Sequence, residues 1–190
     1  MTTDRRALLA DAAIAVLADE GMRGLTHRAV DRAAAVPPGT TSAYLRTRKA
    51  LLTALVGRLV ELDQAELQAL GEATPLPRST EELTHQIAAF TRLRLTGEGR
   101  RRSLARYACT VESARDPELR AILVPRANAG RDAVEMFLAA HGVADVEGRT
   151  LTLLACIDGL VFDRLVAGGE VPRGDIRGLV TAALRKPPHD

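Results

Sequence analysis

Residues 25–52 read LTHRAVDRAAAVPPGTTSAYLRTRKALL, and the fold turns on them. Thr26 is a good helix N-cap, because its side-chain oxygen can accept a bond from a backbone N–H of the first turn that has no intrahelical partner. Behind it Ala29, Val30, Ala33 and Ala34 recur at helical spacing and define one apolar face. That helix must stop by Val36, since a residue followed by proline is pushed out of the α region. Pro38 can then open a second helix, where its missing N–H is harmless, with Thr40 to Leu45 behind it. Leu51 and Leu52 begin a third, longer run. Two short helices joined by about four residues form a helix-turn-helix, which lays its second helix in the DNA major groove.

Outward from this segment the chain of 190 residues reads as helix nearly throughout, an all-α fold of about nine helices. A first helix over residues 4–20 places Leu9, Ala13, Val16 and Leu17 on one face and closes at Gly21. A fourth, from Arg48 to Leu70, carries Leu52, Leu55, Val56, Leu59 and Leu62. Ser79-Thr80-Glu81-Glu82 is a capping box opening a fifth helix through Leu95. TGEGRRR at 96–102 predicts a break, followed by helices over 103–113, 116–140 (kinked near Pro125), 145–167 and 174–186. The expected division is a DNA-binding head over residues 1–47 and a body over 48–190.

Charge supports the head. Residues 1–50 hold eight Arg or Lys against five acids, a net +3, whereas the remainder carries −1. A positive end on a near-neutral body is the electrostatic footprint of a nucleic-acid-binding module. Two cysteines, Cys109 and Cys156, argue against a disulfide framework. The opening MTTDRRALLADAA has no apolar run of the signal-peptide kind, so a cytoplasmic protein without membrane contact is expected. Arginine outnumbers lysine 24 to 2, a composition that suits a GC-rich bacterial genome.

The run at 150–167, TLTLLACIDGLVFDRLVA, is apolar on more than one side, and a helix of that kind must be covered on both faces. Asp158, Asp163 and Arg164 interrupt it too often for a membrane span. A second copy of the chain is the simplest cover, with Leu154, Ile157, Gly159, Val161 and Leu165 expected at the dimer interface. Gly159 costs roughly 1 kcal/mol in a helix interior relative to Ala, which the close approach of another helix would explain.

The 25–52 segment resembles the DNA-binding domain of TetR-family transcriptional regulators, through Thr26, Val30, Val36, Gly39, Thr40, Tyr44, Leu45, Arg48, Leu51 and Leu52. It departs from the family pattern at Asp31, Ala35, Pro37 and Ser42. Ala35 stands where the family has Gly, and a left-handed residue there would cost Ala roughly 1 kcal/mol. The resemblance implies an operator of double-stranded DNA, roughly palindromic, bound by a homodimer. It also implies that Gly39 and the first-turn amides receive a phosphate, that Pro38, Thr40, Thr41 and Ser42 face base edges, and that Tyr44 reaches backbone or base or packs on helix one. Arg48 would hold phosphate from the start of helix four, and Thr26 and Arg28 would do so on the opposite flank.

By the same analogy the body binds an unidentified small-molecule effector among helices four to seven, with Phe90, Tyr107, Cys109 and Glu112 as candidate lining and Leu55 to Leu62 bordering it. Release from DNA by that effector would make the protein a repressor; the alternative is a DNA-binding protein of the same fold without small-molecule control. No catalytic residues, metal site or cofactor are expected. His27, His85, His141 and His189 lack ligand spacing, and neither a phosphate loop nor a nucleophile elbow is present.

Overall fold

The computed structural model describes residues 2–123 and 129–185. Among them the chain is all-α, with ten helices. They are α1 (Thr2–Gly24), α2 (His27–Ala33), α3 (Thr40–Tyr44), α4 (Arg48–Ala73) and α5 (Thr80–Leu95). Then come α6 (Gly97–Ser113), α7 (Pro117–Leu123), α8 (Ala129–Ala140), α9 (Val146–Ala167) and α10 (Arg173–Leu184). Packing groups them into two compact units, residues 1–65 with 97–126 and residues 66–96 with 127–190. The expected boundary after residue 47 does not follow this grouping, because α4 starts inside the core that α1 builds and α6 and α7 return to it.

In the first unit a single core joins five elements. Leu9, Ala13 and Leu17 of α1 meet Val30 of α2, Leu51, Leu55 and Leu59 of α4, Ala105 and Cys109 of α6, and Leu119 and Leu123 of α7. Leu55 and Leu59 are fully buried there, so they are core residues and do not border a pocket. The row Leu51, Leu55, Leu59 continues to Asp63, also buried. Arg106 reaches Asp63 Oδ2 at 2.5 Å and donates to the Leu123 carbonyl at 3.3 Å, which keeps the buried carboxylate paired.

Local chemistry explains the helix ends. Gly21, at φ +70°, interrupts α1 where the first helix was expected to close. Ser79 accepts from the Glu82 amide at 3.2 Å and so opens α5, and Asp145 caps α9 through the Gly148 amide at 3.0 Å. The predicted break at 96–102 shrinks to Thr96, and Gly97 opens α6 at φ +49°. Glu98 sits in the first turn of α6, where its charge suits the helix dipole, and the arginines behind it are already helical. The single helix expected over 116–140 is two, α7 and α8; the kink near Pro125 lies outside the described residues.

The second unit packs α5 on α9 and α10, and α9 on α8 and α10. Glu81 pairs with both Arg173 and Arg177 at 2.7 Å. In α9 the buried row is Thr150, Leu153, Ile157, Val161 and Leu165. Ile157, Val161 and Leu165 are at most 5% exposed within one chain, which corrects their expected place at a dimer interface. They lie four apart on the inward face and are covered by their own unit. Leu154 is half-buried, and Gly159 is exposed. A Cβ added at Gly159 would meet nothing within 4 Å, so the helix approach expected there is not made by the described residues of this chain. The opposite face of α9 leaves Leu151, Phe162 and Val166 exposed.

Candidate nucleic-acid interface

Three side chains lock the α2–α3 corner. Thr26 accepts from the Ala29 amide at 3.2 Å and caps α2. The His27 ring bonds the Leu45 carbonyl at 2.6 Å through Nε2, tying the start of α2 to the end of α3. Asp31, on the buried side of α2, reaches the start of α3. Its Oδ2 accepts from the Gly39 amide at 2.7 Å, and its Oδ1 accepts from the Thr41 amide at 2.7 Å and the Thr41 hydroxyl at 2.6 Å. Burial alone would push this carboxyl up. The Thr41 hydroxyl, the Thr41 and Gly39 amides and the nearby His27 ring outweigh that and hold it below its ordinary value.

The turn between the helices needs two left-handed residues. Gly39, at φ +89°, supplies one at no steric cost. Ala35, at φ +51°, supplies the other and is the one positive-φ residue other than glycine among those described. Pro38 sits in the turn before α3 and not in its first helical turn.

This geometry reassigns several expected contacts. Thr41 is fully buried with its hydroxyl on Asp31, so it faces away from any base edge. The Gly39 and Thr41 amides are bound to Asp31 and the Thr40 amide to the Pro37 carbonyl, so these three of the amides expected to receive a phosphate already have partners. Thr40 also spends its hydroxyl on the Pro37 carbonyl at 2.6 Å. Tyr44 packs, partly buried, against the core of the first unit. Arg48 donates to the Leu25 and Met22 carbonyls at 2.8 Å each, tying the start of α4 to the α1–α2 corner. The row Gly39, Ser42 and Ala43 faces outward, with Pro38 before it, Arg46 exposed just beyond the end of α3, and Arg28 and Arg32 exposed on α2. Sequence reasoning missed Asp31, His27 and Ala43. Asp31 stood out there only as a departure from a pattern, although an acid beside Val30 on the apolar side of a helix is a signal that something must pair with it.

The suggested effector residues do not form one cluster in a single unit. Tyr107, Cys109 and Glu112 lie on α6 in the first unit, and Phe90 on α5 belongs to the second. Cys109 is 1% exposed and packs in the core; burial, reinforced by Glu112, pushes its thiol up to about 12. It is a packing residue and not pocket lining. Phe90 carries the Arg94 guanidinium 4.9 Å over its ring. Among the described residues no group of His, Cys, Asp and Glu is placed to hold a metal ion, and no helix is long and apolar enough to cross a membrane.

A family model for the tetracyclin repressor-like C-terminal domain matches residues 78–186. The chain belongs to the TetR family. Solved structures of TetR-family regulators share the fold over nearly the whole chain, head included. A TetR-family member from Streptomyces coelicolor A3 is 27% identical with a TM-score of 0.70, covering 96% of this chain and 99% of its own. The multidrug binding protein EbrR, complexed with ethidium, is 26% identical with a TM-score of 0.69 over the same shares. A transcriptional regulator from Rhodococcus sp. Rha1, 22% identical, shares the fold at a TM-score of 0.72, covering 94% of this chain and 93% of its own. No curated protein matches the sequence.

Proposed function

We propose that this TetR-family chain is a DNA-binding transcriptional regulator that acts as a homodimer and is released from its operator by a small molecule. The observation that carries the reading is the locked corner itself. Asp31 and His27 fix a five-residue helix whose exposed row, Gly39, Ser42 and Ala43, is flanked by Arg28, Arg32 and Arg46. A short helix so held presents a rigid edge to a groove, and the arginines supply sequence-independent attraction to phosphate.

Two further observations support the partners. The outward face of α9, with Leu151, Phe162 and Val166, continues into a mostly apolar trough toward α10 lined by Cys156, Gly159, Leu160, Gly178 and Leu179, with Asp175 at its side. Added Cβ atoms at Gly159 and Gly178 would meet nothing within 4 Å among the described residues, which leaves room for the helices of a second copy. A dimer would set two recognition helices at half-sites about 34 Å apart. For the effector, the relative EbrR has been solved with imidazole, proflavin, ethidium and malachite green.

Selection of bound duplexes from a random pool tests the reading. The expected result is a roughly palindromic site bound by two chains, with affinity falling steeply and linearly on a log–log salt plot. Failure to enrich any duplex, or binding indifferent to salt, would overturn it.

A further inference from the structure

We infer that the outward row of α3 reads a thymine through its C5-methyl group, with Ala43 sensing the methyl and Ser42 as its hydrogen-bonding neighbour. The inference rests on the DNA-binding reading above and names the base chemistry that this corner fits.

Positions 39, 42 and 43 are one helical face, and all three are exposed. The Asp31 clamp on Gly39 and Thr41 fixes which face that is, since it turns Thr41 inward. Leu45, at φ −130° and ψ 77°, leaves the helical path, so Arg46 lies beyond the helix and not on its row. The exposed helical face therefore holds no arginine, lysine, asparagine or glutamine. Those are the side chains that read guanine or adenine by paired hydrogen bonds in the major groove, and acids serve cytosine. Thymine presents one acceptor, O4, beside an apolar methyl. A serine hydroxyl next to an alanine methyl is the complement of that pattern, one donor beside one small apolar surface. Thr41, expected from the sequence to face base edges, is unavailable because it is buried.

Uracil lacks only the C5-methyl, so it isolates the contact. Each thymine of the selected operator is replaced in turn by uracil and binding to the full-length protein is measured by fluorescence anisotropy. One position in each half-site should weaken binding about fourfold, the equivalent of one buried carbon at about 0.8 kcal/mol. Ala43→Gly and Ala43→Ser should both bind the thymine and uracil duplexes alike. Arg28→Ala should weaken both and preserve the fourfold ratio. If no uracil replacement matters on a duplex the protein binds, or if the ratio survives in both Ala43 variants, the thymine reading is overturned while the DNA-binding reading stands. Failure to enrich any duplex overturns both.

Discussion

Helices α3 and α9 bury opposite kinds of surface. In α3 the inward residue is polar, Thr41 on Asp31, and the outward ones are small. In α9 the inward row is aliphatic apart from Thr150, and the outward face is also apolar, at Leu151, Phe162 and Val166. Inwardness thus follows from what the neighbouring element supplies and not from the hydrophobicity of the helix itself. A carboxylate on α2 makes a threonine the core residue of α3. On α9 a buried row that is aliphatic apart from Thr150 leaves Leu151, Phe162 and Val166 exposed on a second apolar face.

The sharpest way to break this contrast is to strike the two faces of α9 separately. Leu165→Ala, on the inward row, should cost about 2–5 kcal/mol of stability, because a buried leucine leaves a cavity that its neighbours only partly fill. Phe162→Ser, half-exposed on the outward face, should leave the thermal stability of the isolated chain almost unchanged and shift sedimentation toward the monomer. Equal losses of stability from both variants would show that the outward face is covered within the chain.

The corresponding strike in the head is Asp31. Asp31→Ala removes the acceptor of two amides and one hydroxyl and should cost about 1–3 kcal/mol, since the orphaned donors of the buried corner lose their partner. Acid should act in the same direction. The folded-state carboxyl titrates below its ordinary value of 3.8, so its contribution is complete above that pH and is lost as pH falls through the lower, folded-state value. Urea titrations across acidic pH should show this slope in the native chain and lose it in Asp31→Asn. A slope that persists in Asp31→Asn would place the acid sensitivity at other carboxylates.

The elements were legible because their signals are local. Thr26, Ser79 and Asp145 each cap the helix that their position predicted, and Gly21 breaks α1 as expected. The DNA-binding corner could be found for the same reason. Which side chain faces which way was not local information. Thr41 turns inward because of an acid ten residues earlier, and Arg48 is held by carbonyls more than twenty residues away. Ile157, Val161 and Leu165 read as interface residues because a helix apolar all round gives no clue to which row its own bundle takes. Cys109 read as a pocket residue because a polar group there interrupts an aliphatic lining, whereas it packs with Leu119 and Leu123 of α7.

The smallest effect lies in the turn that separates inward α2 from outward α3. Ala35 stands at φ +51°, where an L side chain crowds the following carbonyl at a cost of roughly 1–2 kcal/mol. Glycine removes that crowding but loses more backbone freedom on folding, which returns about 0.4–1 kcal/mol. Ala35 is exposed, so its methyl contributes little packing that glycine would forfeit. The balance favours Ala35→Gly by about 0.5–1 kcal/mol, a rise of about 1–4 °C in the midpoint of thermal unfolding for a chain of this size. Because Asp31 and His27 hold α3 independently of this residue, specific DNA affinity should stay within about twofold of the native value. A fall in the midpoint would mean that the left-handed alanine is held in place by contacts worth more than its strain. A large loss of affinity at unchanged stability would mean that the turn, and not the Asp31 clamp, sets the angle at which α3 is presented.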